Sequence, residues 1–213
     1  MKKTLLLACV CGFLTALAPT LRADTFGANF ANTVGESLSN GPFTLGWSFS
    51  VSGTINVTDL GVFDSGGAAL TEVHAVGIWN SSGTLLDSAS VGATAGGTLE
   101  TDALGQTWLD TGAPVTLGPG TYTIGALWVD GADLAIFPGQ LGSVTMGTGI
   151  TFIQDQYIAG GSLADPTGTS GETGAYFGPN FEYNAAATPE PSSVLLMATG
   201  LIALGAIRKR ARK

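Results

Sequence analysis

Residues 24–191 contain no lysine or arginine, although they contain all 16 acidic residues of the chain. The same stretch has all but three of the 32 glycines. Long surface helices usually need charged helix-forming residues on their solvent face, so this composition disfavours them. The stretch is therefore predicted to fold into strands joined by glycine-rich turns.

The missing cations also exclude several classes of protein. A domain without lysine or arginine cannot neutralise phosphates, so we predict that it does not bind nucleic acid. Both cysteines, Cys9 and Cys11, precede the stretch, which leaves the domain without a thiol nucleophile or a disulfide. His74 is the only histidine of the chain, so a metal site with several histidines is excluded.

Short alternating segments run through the acidic stretch. Residues 44–51 place Leu, Trp, Phe and Val at every second position, and residues 55–62 form a second such segment with a slip near Asp59-Leu60. Residues 73–79 and 84–91 flank Asn80-Ser-Ser-Gly83, which predicts a β-hairpin. Strands are also predicted at 114–117 and 121–128, joined by a tight turn at Gly118-Pro119-Gly120, and at 175–183, bent at Gly178-Pro179. Residues 139–149 and 160–174 are predicted to be long loops. We therefore predict an all-β fold, an antiparallel β-sandwich of jelly-roll type.

The N-terminal residues have the features of a secretory signal peptide. Lys2 and Lys3 precede an apolar run from Leu5 to Leu17, and Leu21-Arg22-Ala23 ends on a small residue. We predict cleavage after Ala23, which makes residues 1–23 a signal peptide and 24–187 the exported β-sandwich domain. The Sec translocon and signal peptidase are then expected partners.

Residues 188–213 form a tail with three parts. Pro189-Glu190-Pro191 comes first, and an apolar segment at 194–207 follows, which we predict to be a single helix. At about 21 Å, this helix is shorter than the roughly 30 Å hydrocarbon core, so it would insert in the inner membrane with help from its flanks. The basic tail 208–213 is expected to hold the C-terminus in the cytoplasm. Its cationic residues are Arg208, Lys209, Arg210, Arg212 and Lys213.

This order of Pro-Glu-Pro, apolar helix and basic cluster resembles the PEP-CTERM sorting signal. The resemblance implies that an exosortase, a membrane-embedded cysteine transpeptidase or protease, recognises the tail. It further implies a Gram-negative bacterium that secretes exopolysaccharide, with transient insertion in the inner membrane before release. Residues 44–130 are also similar to a β-sandwich domain of unknown function that often precedes such tails. The similarity lies in the segments Asp59-Leu-Gly-Val-Phe-Asp64, His74-Ala-Val-Gly-Ile-Trp79 and Pro114-Val-Thr-Leu-Gly-Pro-Gly-Thr-Tyr122.

Two groups of residues are candidates for binding. Trp108 is the candidate for an exposed aromatic platform that stacks on a sugar, whereas Trp47, Trp79 and Trp128 lie in apolar strands and are expected in the core. Asp64 and Glu72, with His74 beside them, bracket a glycine-rich turn whose carboxylates could hold Ca²⁺, against the alternative of a solvated turn. Asp130-Gly-Ala-Asp133 is a weaker acidic segment. No other cofactor is expected.

The leading hypothesis is a non-catalytic protein, sorted to the outer surface or the extracellular polysaccharide matrix. A carbohydrate- or Ca²⁺-binding adhesin module is the alternative, with extracellular polysaccharide as its partner. A glycoside hydrolase is a distant third hypothesis, because Glu100 and Asp102 could face the same side of a strand.

Overall fold

The computed structural model describes residues 25–31, 36–37, 41–64, 70–92, 98–100, 107–110, 114–137, 143–171, 174 and 177–185. The predicted signal peptide and the predicted sorting tail with its apolar helix lie outside these residues. Within them, every regular element is a β-strand, and no helix is long and apolar enough to cross a membrane.

The described residues form fifteen strands. In chain order they are β1 (Thr25–Phe26), β2 (Ala28–Ala31), β3 (Glu36–Ser37), β4 (Phe43–Val51), β5 (Ile55–Phe63), β6 (His74–Asn80), β7 (Leu85–Val91), β8 (Thr98–Glu100), β9 (Thr107–Asp110), β10 (Val115–Leu117), β11 (Gly120–Trp128), β12 (Leu134–Ala135), β13 (Ser143–Met146), β14 (Ile150–Ala159) and β15 (Pro179–Ala185).

Most of these strands belong to two antiparallel sheets. The six-stranded sheet has the order β1-β15-β5-β9-β8, with β10 paired to β5 as well. The five-stranded sheet has the order β14-β4-β11-β6-β7. Two small sheets pair β12 with β3 and β13 with β2. The prediction of an all-β fold with antiparallel sheets is confirmed.

Aromatic side chains join the two larger sheets. Trp47 and Phe49 of β4 stack on Phe181 of β15, with ring centroids 6.0 and 5.1 Å apart. All three side chains are fully buried, and each such burial stabilises the fold by about 1.5–3 kcal/mol. The indole N–H of Trp47 donates a hydrogen bond of 2.8 Å to the carbonyl of Pro179, which satisfies its polar atom inside the core.

Two glycines hold positions that their neighbours require. Gly46 lies in β4 between β11 and β14, and a Cβ atom there would overlap the carbonyl oxygen of Ile124. Gly83 ends the turn between β6 and β7 with a φ of 77°, a left-handed conformation that glycine adopts at low cost. Its N–H donates to the carbonyl of Asn80 at 2.9 Å.

Several local predictions are confirmed. The segment 44–51 is strand β4, and β6 and β7 pair as the predicted hairpin. The predicted tight turn between β10 and β11 is present, and because these two strands belong to different sheets, it carries the chain from one sheet to the other. The slip in β5 is also present: Asp59 pairs with Glu182 and Val57 with Tyr183, so Thr58 is the extra residue. The irregularity lies one residue before the predicted place. The burial of Trp47, Trp79 and Trp128, at most 4% exposed, agrees with their predicted place in the core.

Other local predictions are wrong. Residues 139–149 contain β13, which pairs with β2, and so are not a continuous loop. The strand predicted at 175–183 corresponds to β15, which begins at Pro179, so residue 178 is not part of the strand. The alternation of apolar and polar residues also did not predict a strand at 150–159, where β14 forms an edge of the five-stranded sheet.

Candidate functional site

Four polar residues gather at one end of the five-stranded sheet. His74 begins β6, and Glu72 lies two residues before it. The neighbouring strand β11 ends at Trp128, and the chain then turns through Asp130 and Asp133. Because β6 and β11 are antiparallel neighbours, the start of one strand lies beside the end of the other. The topology thus brings together residues separated by about sixty positions, and we call them the acidic cluster.

His74 is fixed through both of its ring nitrogens. Nδ1 lies 2.9 Å from the backbone carbonyl oxygen of Leu127, and Nε2 lies 2.9 Å from Oδ2 of Asp133. The side chain is fully buried, and the indole of Trp128 packs against the imidazole with centroids 4.9 Å apart. In such a dry setting, electrostatic interactions are stronger than in water.

Asp133 is held by donors on every side. Its Oδ1 accepts hydrogen bonds from the amide and hydroxyl of Thr71, both at 2.8 Å, and its Oδ2 accepts one from the amide of Glu72 at 2.9 Å. Burial alone would raise the pKa of this carboxyl, but the Thr71 and Glu72 amides, His74 and the Thr71 hydroxyl together hold the pKa below its usual value. Asp133 is therefore ionised at neutral pH.

Glu72 and Asp130 share a hydrogen bond between their carboxyl groups. Burial, the hydrogen bond to Asp130 and the charges of Asp130 and Asp133 together raise the pKa of Glu72 to about 7, with burial as the largest cause. The same hydrogen bond, with one from the amide of Ala132, lowers the pKa of Asp130. Near neutral pH, Glu72 is therefore protonated in a fraction of the molecules, and Asp130 is ionised.

The two hydrogen-bond partners of His74 determine what can lie between its Nε2 atom and Asp133. A carbonyl oxygen can only accept, so Nδ1 must carry a proton. In the neutral ring Nε2 would then present a lone pair to an ionised carboxylate oxygen 2.9 Å away. A proton on Nε2 or a metal cation held by both atoms removes this conflict. The pair is the only salt bridge among the described residues.

The donor atoms are close enough for a metal ion. One nitrogen or oxygen atom from each of Glu72, His74 and Asp133 lies within 4.8 Å of the other two. In the described part of the chain this is the only such group of three or more histidine, cysteine or acidic residues.

The predicted site residues lie in different places. Glu72 belongs to the acidic cluster, whereas Asp64, which follows β5 and is buried, is not in the group of close donor atoms. Trp108 lies in β9, and its side chain is outside the described part of the structure. Asp102, the sorting motif Pro189-Glu190-Pro191 and the basic tail 208–213 also lie outside the described residues.

Sequence reasoning missed the partnership of His74 with Asp133. It grouped the carboxylates that are near in sequence, Asp64 and Glu72, across one turn. The useful signal was the position of both segments at strand ends: His74 opens one predicted strand, and Asp130-Gly-Ala-Asp133 closes another. Had those two strands been recognised as antiparallel neighbours, the two segments would have been expected to meet.

Comparison with known proteins identifies the tail but not the domain. The model of the PEP-CTERM protein-sorting motif matches residues 187–211. No curated protein and no solved structure matches the chain. The resemblance stated for the tail is therefore confirmed, and the β-rich domain before it fits a domain of unknown function. The chain thus carries a PEP-CTERM protein-sorting motif after an all-β domain, which indicates an exported bacterial protein of the cell surface or extracellular space.

Proposed function

We propose that the protein is a non-catalytic β-sandwich of jelly-roll type that an exosortase sorts to the outer surface or the extracellular polysaccharide matrix of a Gram-negative bacterium. The observation that carries the proposal is the sorting motif at 187–211, which follows in sequence directly after β15, the last described strand, which ends at Ala185. Export through the Sec translocon, removal of residues 1–23 by signal peptidase and transient insertion of the apolar segment 194–207 in the inner membrane complete the route.

The chemistry of the domain supports a role without catalysis. Residues 24–191 offer no lysine, arginine or cysteine as a nucleophile or anion clamp. The only histidine, His74, is fully buried and held at both ring nitrogens, so it is not available as a general base for an external substrate. A hydrolase that used Glu100 and Asp102 would have to work without lysine, arginine, cysteine or an accessible histidine.

The packing of the sheets supports the β-sandwich. Contacts of Trp47 and Phe49 in the five-stranded sheet with Phe181 in the six-stranded sheet place a shared core between two antiparallel sheets.

Mass spectrometry of fractionated cells tests the sorting route. The wild-type chain is expected in the surface and extracellular fractions without residues beyond about Pro191. Replacing Pro189, Glu190 and Pro191 by alanine should keep peptides of 194–207 joined to the domain in the inner membrane. The matched control replaces Ser192 and Ser193 by alanine, which alters the same segment outside the motif and should leave sorting intact.

Deletion of the exosortase gives the second arm of the test. It should retain the wild-type chain in the inner membrane, as the triple alanine variant is retained. Recovery of an intact tail in the inner membrane of exosortase-positive cells would instead mean that the tail is an ordinary anchor.

A ligand-binding module is the second candidate. The acidic cluster favours a cation as one ligand, and a sugar would have to stack on an exposed tryptophan. Among the four tryptophans, Trp47, Trp79 and Trp128 are buried and so cannot stack on a sugar, which leaves Trp108 as the proposed aromatic platform. Trp108→Ala should abolish retention on an extracellular polysaccharide column if the module binds sugar through this residue. Equal retention of wild type and variant would dismiss the platform.

A further inference from the structure

We propose that Glu72, His74 and Asp133 bind a divalent transition-metal ion, with Zn²⁺ as the ion that suits the donor set best. The inference goes beyond the proposed function, because neither sorting by an exosortase nor a non-catalytic role requires a metal.

The first argument is the orientation of the imidazole. The carbonyl of Leu127 accepts from Nδ1 and so directs the Nε2 lone pair towards Oδ2 of Asp133. Histidine ligands of metals are commonly fixed in this way, with the second nitrogen donating to a backbone carbonyl or a carboxylate. The amides of Thr71 and Glu72 fix Asp133 in turn, so two donor atoms are preorganised before any ion arrives.

The second argument is distance. Zn²⁺ lies about 2.0–2.2 Å from nitrogen and carboxylate oxygen ligands. An ion at that distance from both Nε2 of His74 and Oδ2 of Asp133, which are 2.9 Å apart, has a ligand–metal–ligand angle of about 90°. Separation of the two atoms by about a further 0.5 Å would give the tetrahedral angle of structural zinc sites. The donor atom of Glu72 is within 4.8 Å of both, so it can complete the set with little movement.

The third argument comes from an oxygen without a partner. Oε2 of Glu72 is shielded from solvent and has no hydrogen-bond partner among the described residues. An acceptor left in this state destabilises the fold, and a bound cation removes that cost. The neighbouring residues supply further negative charge, from Asp130 and Asp133, and residues 24–191 contain no lysine or arginine to compensate it.

The donor types decide which cation fits. Ca²⁺ takes six to eight oxygen ligands, and an imidazole nitrogen in the centre of the group does not suit it. A mixed set of imidazole and carboxylates suits Zn²⁺ and its first-row neighbours. The proposal therefore replaces the Ca²⁺ hypothesis at Asp64 and Glu72 with a transition-metal site at Glu72, His74 and Asp133.

Calorimetric titration with Zn²⁺ or Ca²⁺ alone tests the site in the full chain, purified in mild detergent. Cys9 and Cys11 are replaced by serine in every sample, because thiolates bind zinc elsewhere in the chain. One Zn²⁺ per chain is expected, with a melting temperature about 5–10 °C higher at a hundredfold excess of Zn²⁺ over Kd. Glu72→Gln keeps the shape of the side chain and should weaken Zn²⁺ binding at least tenfold.

Asp87→Asn is the matched control, since it removes one carboxylate from β7 at a distance in sequence from the acidic cluster. It should bind Zn²⁺ as the wild type does. No binding of Zn²⁺, tighter binding of Ca²⁺ than of Zn²⁺, or equal weakening in both variants would overturn the proposal.

Nitrogen NMR of His74 gives a second measurement that needs no variant. The chain has a single histidine, so ¹⁵N-histidine labelling yields one pair of ring resonances. Coordination should shift the Nε2 resonance when Zn²⁺ is added and leave Nδ1 as a protonated nitrogen, because Nδ1 donates to the carbonyl of Leu127. An Nε2 resonance that does not move at saturating Zn²⁺ would show that the pair with Asp133 holds no metal.

Discussion

Replacing Asp133 by asparagine should destabilise the protein strongly, although the two side chains have the same shape. Asp133 accepts hydrogen bonds from two amides, a hydroxyl and an imidazole. An asparagine presents an oxygen on one side and an NH₂ group on the other. If NH₂ takes the place of Oδ2, the part-buried amide of Glu72 loses its acceptor. If NH₂ takes the place of Oδ1, the amide of Thr71 keeps only its 3.1 Å contact with the remaining oxygen.

The magnitude follows from these contacts. A buried donor without an acceptor costs about 1–3 kcal/mol, and the remaining bonds change from charged to neutral acceptors, each weaker by about 1 kcal/mol. We therefore expect a loss of about 4 kcal/mol in the free energy of unfolding, which agrees with the cost of breaking a buried ion pair. For a protein of this size, the melting temperature should fall by about 8–16 °C.

Urea unfolding followed by tryptophan fluorescence measures this loss. The experiment uses the full chain in mild detergent at neutral pH with EDTA, so that no metal contributes. Trp128 packs on His74 and reports on the surroundings of the cluster. Asp87→Asn serves as the control, because it removes the same charge from a partly exposed position where changes stay within about 0.5 kcal/mol.

A loss of less than about 0.5 kcal/mol, equal to that of the control, would refute the reasoning. It would mean that the hydrogen bonds of Asp133 in the folded protein are no more favourable than the hydrogen bonds that the same groups form with water in the unfolded chain.

Three further expectations concern pH, packing and salt. The pKa of Glu72 is raised from 4.5 to about 7, so between these pH values the folded protein binds more protons than the unfolded one, and stability falls as the pH rises. With EDTA present, Glu72→Gln should reduce this fall in the free energy of unfolding by about 1 kcal/mol after screening. The same pH dependence of stability in the wild type and the variant would contradict this expectation. Gly46→Ala should cost about 3 kcal/mol because its Cβ overlaps Ile124, whereas Gly53→Ala, which has open space, should be near neutral in the same urea titration. The melting temperature should rise in about 0.5 M NaCl, since 16 carboxylates repel one another between residues 24 and 191; an unchanged value would dismiss this repulsion.

The parts of the fold that could be predicted are those with local signals. Alternation predicted β4, and Asn80-Ser-Ser-Gly83 predicted the hairpin because the turn needs a glycine at positive φ. The slip in β5 could be located because one extra residue interrupts its alternation. Each of these features depends on residues that are close in sequence.

The features that could not be predicted depend on pairing between distant segments. β13 is short and partly exposed, and it is a strand only because β2 lies beside it. In β14 the alternation is broken by a register shift between Phe152 and Gln154, which hides the strand from a period-two search. The acidic cluster has the same cause, since His74 and Asp133 meet only through the pairing of β6 with β11.

The order of the six-stranded sheet has a consequence for the time at which the domain can complete its fold. β15, the last described strand in chain order, lies between β1 and β5 and contributes Phe181 and Tyr183 to the core. Until residues up to 185 have emerged, the first strand has no neighbour in the sheet and one side of β5 is open. Pro189 is four residues beyond Ala185, and four steps along an extended chain reach at most about 14 Å. Completion of the core and presentation of the sorting motif are therefore nearly simultaneous events, so the enzyme that reads the motif works either on an unfinished sheet or within about 14 Å of a finished one.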